Sequence, residues 1–173
     1  MPGTERTLVV LRHAKAEPAD GAADELRPLA LQGRKQATRL GKHLAEGGLL
    51  PEVVLCSTAL RTRQTWELAK AALKQAEPQV EMRDELYAAS PSGLLAAVRG
   101  IDARVRTVLL VGHEPAVSGL AGALAAPGSD QGALAQVRAG VPTAAFSVLT
   151  ADVPWEQWGN DVAQLTGVFR PEV

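Results

Sequence analysis

The chain has 173 residues, 46% hydrophobic and 21% charged, which fits a single globular domain over 1–173 with a core that needs no disulfide or metal staple. Its 18 Lys and Arg against 19 Asp and Glu leave a formal net charge of −1, which argues against a nucleic-acid partner. One cysteine excludes an intrachain disulfide, and no apolar stretch approaches the length of a membrane span, so a cytoplasmic monomer with no membrane contact is expected.

Residues 7–11 (TLVVL) form a β-branched apolar run that ends in Arg12-His13 and reads as a buried strand. The five-residue run is too short for a signal peptide. A loop punctuated by Pro18, Gly21 and Pro28 follows. Ala37, Leu40, Gly41 and Leu44 then fall on one helical face, in a helix that starts near Leu31 and stops at Gly47-Gly48. Residues 53–56 are a second apolar run. Thr62, Thr65, Trp66, Ala69, Ala72, Leu73 and Ala76 repeat at helical spacing and predict a helix over 58–76, ended by Pro78. Residues 80–82 suggest a weak third strand, and Ser90-Pro91 opens a short helix over 91–99. Residues 105–111 (VRTVLLV) are the clearest buried strand and end in Gly112-His113. Pro115 suits a helix start, with Val117, Leu120, Ala121 and Leu124 on one face. Residues 144–149 and 163–169 complete the strands. The alternation implies an α/β fold with a mostly parallel sheet covered on both faces.

The unusual polar residues fall at strand ends. Arg12-His13 follows the first strand, Cys56-Ser57 with Arg61 follows the second, and Gly112-His113 follows the strand at 105–111. Open α/β sheets bind ligands beyond the carboxyl ends of their strands. Two of these segments also run into helix N-termini, which favour anions. Arginine forks match phosphate oxygens. A histidine among arginines is disfavoured as imidazolium, and a neutral imidazole nitrogen is a competent nucleophile toward phosphorus. This reading makes His13 the nucleophile, with Arg12, Arg61 and His113 as the phosphate pocket. His113, if protonated, would stabilise charge on the equatorial oxygens.

Other chemistries fit less well. Cys56 and Arg61 stand as Cys-x4-Arg, one residue short of the loop that cysteine-dependent phosphatases need, so Cys56 reads as a buried strand-end residue. There is no Gly-x-Ser-x-Gly, no phosphate-binding Gly-x4-Gly-Lys-Ser/Thr loop and no His-Glu-x-x-His. No metal or other cofactor is implied. Lys15 and Glu17 read as loop charges near the mouth of the site, His43 as surface, and Trp155 and Trp158 as packing residues.

The motifs together resemble the histidine phosphatase superfamily. Leu-Arg-His-Ala-Lys-Ala-Glu at 11–17 is similar to its Arg-His-Gly signature, with Ala14 for the glycine. Arg27-Pro28-Leu29 with Gly33 and Ala37 resembles the stretch that follows the signature. Ser57, Arg61, Gln64 and Thr65 resemble its "SP…RA.QT" block, with Thr58 for the proline, and residues 111–115 resemble its second histidine motif. The resemblance implies a three-layer α/β/α sandwich of the phosphoglycerate mutase type. It also implies Arg12, His13, Arg61 and His113 as catalytic residues; Arg27 is either a substrate contact or a surface charge. Larger members place a general-acid carboxylate where Ala88 stands here, and residues 87–105 leave little room for a helical lid. These departures resemble the SixA-like phosphohistidine phosphatases. The implied activity is hydrolysis of a phosphorylated histidine on a protein through a phosphohistidine intermediate. A small-molecule phosphomonoesterase on the same scaffold and a non-catalytic phosphate-binding module are the alternatives.

Overall fold

A computed structural model of the chain describes residues 5–74 and 76–172. In chain order the elements are β1 (Arg6–Arg12), α1 (Leu31–Glu46), β2 (Val53–Ser57), α2 (Leu60–Ala69), β3 (Gln79–Arg83) and α3 (Pro91–Arg99). They continue with β4 (Thr107–Gly112), α4 (Ala116–Leu124), α5 (Gln131–Ala139), β5 (Phe146–Ala151) and β6 (Gln164–Phe169). The six strands form one sheet in the order β3-β2-β4-β1-β5-β6. β3, β2, β4 and β1 are parallel; β5 runs antiparallel to β1, and β6 antiparallel to β5. The mostly parallel three-layer architecture agrees with the expectation.

Alternation along the central strands builds two cores. Leu8 and Val10 of β1, Val53 and Leu55 of β2, and Val108 and Leu110 of β4 face α3, α4 and α5. Val9, Leu11, Val54, Cys56, Leu109 and Val111 face α1 and α2, where they meet Leu40, Leu44 and Trp66. Strands covered on both sides read as continuous apolar runs, which is why β1 and β4 stand out in the sequence. Trp155 and Trp158 are fully buried, with ring centroids 4.8 Å apart. Their indole N–H groups donate to the carbonyls of Val105 and Val153, so they are packing residues as expected. His43 is exposed on α1.

Two elements depart from the sequence reading. The helix expected over 58–76 spans only Leu60–Ala69, and a 3-10 turn at Lys70–Ala72 follows. The tightened turn rotates Leu73 into the α1–α2 core, where it is 2% exposed. Gln75, inside the expected helix, lies outside the described residues. α5 was not expected at all. It buries only Ala133 and Val137, so it carries almost no apolar stripe. Its signals are the ends: the Asp130 side chain accepts from the Ala133 N–H, and Gly140 stops the helix with φ 95°.

Candidate active site

The sheet register assembles the site. β1, β4 and β2 are neighbours, with Arg12 level with Gly112 and Cys56 level with Val111. The His13 N–H donates to the Gly112 carbonyl at 3.1 Å, so both histidines leave the sheet at the same edge. Their ring centroids are 5.4 Å apart. His113 Nε2 shares a 2.8 Å hydrogen bond with Ser57 Oγ at the end of β2. Arg61 enters from the first turn of α2 and is 7% exposed.

His13 is also 7% exposed, and its Nδ1 lies 2.7 Å from the Ala14 carbonyl oxygen. A carbonyl only accepts, so Nδ1 carries the proton and the lone pair sits on Nε2. Burial, more than any charge, pushes the His13 pKa down to about 4; Arg61, Arg12 and Arg27 push it further in the same direction, and the Ala14 hydrogen bond opposes them. The sequence reading put the arginines first. The larger cause is that the ring is packed away from water at the floor of the site. His113 is likewise held at about 4, by burial first and then by Arg61 and His13. It is therefore neutral at pH 7 in the free site, a point that the sequence leaves open.

Arg12 Nη1 donates to the Val141 carbonyl at 2.9 Å. Arg61 Nη1 and Nη2 donate to the carbonyl and carboxylate oxygens of Asp24 at 2.8 and 2.9 Å. Arg12 Nε, Arg61 Nε and His113 Nδ1 are buried without a hydrogen-bond partner among the described residues. Buried polar groups of this kind are rare, and the Nε–H groups of Arg12 and Arg61 are donors of the type that an oxyanion accepts from. Arg27 reaches the site at one remove: its Nη1 is 3.2 Å from Asp24 Oδ1, and its Nε donates to the Glu17 carbonyl. Its charge is nonetheless among those acting on His13.

The loop after His13 is held by side chains that belong to the motifs. Thr65 Oγ1 accepts from the Ala14 N–H, Gln36 Oε1 from Lys15 and Gln64 Oε1 from Leu29. Gly33 lets α1 approach this loop: a Cβ there would lie 1.9 Å from the Lys15 carbonyl oxygen. Cys56 faces the α1–α2 core, and burial pushes its thiol pKa up to about 12, so it offers no thiolate.

Residues 8–90 match the profile of the histidine phosphatase superfamily (branch 1). A solved structure described as a candidate phosphohistidine phosphatase, SixA, from Nakamurella multipartitia superposes with a TM-score of 0.83 at 35% identity, covering 98% of each chain. The chain belongs to the histidine phosphatase superfamily. A second candidate SixA, from Agrobacterium tumefaciens, is 28% identical with a TM-score of 0.79, covering 96% of this chain and 98% of the other. An uncharacterised protein of Mycobacterium tuberculosis is 35% identical over 162 residues, spanning 93% of this chain and 99% of that one.

This histidine phosphatase superfamily member has a cleft of about 480 Å³ beside His113, lined by residues 87–91 and 113–116 together with Gly119. Ala88 is part of its wall. Tyr87 presents its ring edge-on to His113, with centroids 5.4 Å apart, and donates its hydroxyl to Asp24. Two carboxylates stand at this site without an assigned role in the sequence reading, although Glu114 lies inside the motif at 111–115. Asp24 sits in a 3-10 turn with no periodic signal, one turn before Arg27. Glu114 stands next to His113, and its carboxylate accepts from the N–H and hydroxyl of Ser118 and the N–H of Val141. It thereby sets the carbonyl that holds Arg12.

Proposed function

We propose that the protein is a phosphatase that works through a covalent phosphohistidine on His13 and acts on phosphorylated histidine of a protein, without a metal or other cofactor. The observation that carries this reading is the buried, neutral His13, with Nδ1–H spent on Ala14 and Nε2 free to attack. Arg12, Arg61 and His113 form the phosphate pocket, and their buried unpaired N atoms are suited to phosphoryl oxygens. Arg27 supports the pocket through Asp24.

In the first step the His13 Nε2–P bond forms as the bond to the leaving nitrogen breaks, and the electron pair goes to that nitrogen. The leaving imidazole is neutral because its other ring nitrogen already carries a proton. Water then attacks phosphorus, the Nε2–P bond breaks, and the proton from water ends on the phosphate released.

Ala88 supports the choice of substrate. An alkoxide leaving group needs a positioned acid, a contribution of roughly 10²–10⁴ in rate. An imidazole that titrates near neutrality does not need one. The cleft beside His113 has room for a histidine presented on a protein surface. The candidate SixA neighbours point the same way.

The test compares phosphate release from a phosphohistidine-bearing protein and from an alkyl phosphomonoester, with His13→Ala as control. A strong preference for phosphohistidine that disappears in the variant is expected, with phosphoryl label trapped on His13. Equal or greater turnover of the alkyl ester would overturn the substrate assignment. Full activity of His13→Ala would overturn the mechanism.

A further inference from the structure

We propose that Asp24 is a specificity-determining residue that selects substrates whose leaving group departs from phosphorus already protonated, namely P–N phosphoramidates such as phosphohistidine. The proposal rests on His13 as the nucleophile and concerns the far side of the same site. Arg12 and Arg61 flank the two histidines, Arg27 stands behind them, and the Asp24 carboxylate pairs with Arg61 and Arg27. Its Oδ2 accepts from Arg61 at 2.9 Å and also from the Tyr87 hydroxyl, and its Oδ1 lies 3.2 Å from Arg27. Asp24 offsets part of the arginine charge at the site, which lowers the repulsion felt by a cationic group attached to a phosphoryl dianion.

The negative charge is also placed unevenly. Tyr87 links Asp24 to the cleft, and its ring packs against His113. Asp24 favours protonation of His113, whereas Arg61 and Arg12 oppose it. Asp24 is therefore the group that eases the penalty on a cation at the cleft side. A phosphoimidazole protonated on its distal nitrogen carries its positive charge toward that side. As the P–N bond breaks, the electron pair quenches that charge and neutral imidazole leaves. An ester whose leaving group departs as an anion gains nothing from Asp24 and meets its negative field. Asp24 uses only two of the five Arg61 N–H groups, so Arg61 can hold carboxylate and phosphoryl oxygens together.

The experiment uses two small substrates and the full chain. Phosphoramidate is protonated on nitrogen near neutral pH, and p-nitrophenyl phosphate releases an anion. In Asp24→Asn the ratio of kcat/KM for phosphoramidate to that for p-nitrophenyl phosphate is expected to fall about tenfold. Inorganic phosphate should inhibit several-fold more tightly, because the pocket then has one negative charge fewer. Asp24→Glu keeps the charge and should hold the ratio near that of the parent protein. A role confined to anchoring the loop would lower both substrates in parallel, and that unmoved ratio would overturn the proposal. So would a ratio that collapses equally in the Glu variant. A parent protein inert toward both substrates would count against the phosphatase reading itself, whereas an active protein with an unmoved ratio removes only the role of Asp24.

Discussion

His13 is held neutral by where it sits. Packed at the floor of the site, with one nitrogen donating to Ala14, the ring is neutral from well below neutrality upward. The acid limb of kcat/KM for p-nitrophenyl phosphate is therefore expected near pH 4 rather than at the ordinary histidine value of 6.5. Activity should stay nearly flat between about pH 5 and 7 if the nucleophile alone is titrated. Initial rates across that range check this, and a midpoint near 6.5 would mean that the ring is exposed to water in the working enzyme. The arginines and histidines of this site are visible in the sequence because each follows a strand of distinctive composition. Asp24 is not, because an isolated acid in a loop carries no pattern, and Glu114, although it lies inside the motif at 111–115, has a partner that only the fold supplies. Asp24 meets Arg61 across 37 residues of chain, and Glu114 meets Val141 across 27.

At the level of elements, the site depends on segments that contribute no reacting atom. Glu114, at the start of α4, draws in the Val141 N–H, and the Val141 carbonyl fixes Arg12. Glu114→Gln keeps the size of the side chain but replaces one acceptor with a donor and removes the charge facing Arg12. The expected result is a rise in KM of about 3–10-fold with a smaller change in kcat, since the loss is in holding phosphate rather than in attack. Steady-state kinetics separate the two. The α1–α2 contact is the second case. Gly41 lies so close to α2 that a Cβ would sit 2.1 Å from the Ala69 carbonyl oxygen. Gly41→Ala gains helix propensity yet must push the helices apart, so a net loss of about 1–3 kcal/mol is expected from urea denaturation. The same contact lies where α2 ends, at Ala69. The periodic residues 60–76 look like one helix, but close approach to Gly41 accompanies the tightening at Lys70–Ala72.

For the whole molecule, folding has to bury two imidazoles in neutral form at one edge of the sheet. In the unfolded chain they titrate near 6.5, and in the native protein near 4. The unfolded state therefore takes up protons first as the pH falls. Stability is full above about pH 6.5 and declines progressively toward pH 4. Urea midpoints at several pH values measure this. His13→Ala combined with His113→Ala should flatten the decline, whereas an unchanged slope would place its origin in other groups.

The sequence by itself determined the α/β class, the mostly parallel sheet and the delivery of Arg12, His13, Arg61 and His113 to one edge. Those features follow from local composition, strand length and the rule that binding residues lie beyond strand ends. Only the tertiary structure decided the tautomer of His13 and the neutral state of His113, and it made burial rather than the neighbouring charges the main cause. It alone also placed Asp24 among the arginines and Glu114 behind Arg12. Those contacts join segments far apart in the chain, and what fixes them is the register of β1, β4 and β2 together with the packing of α1 on α2.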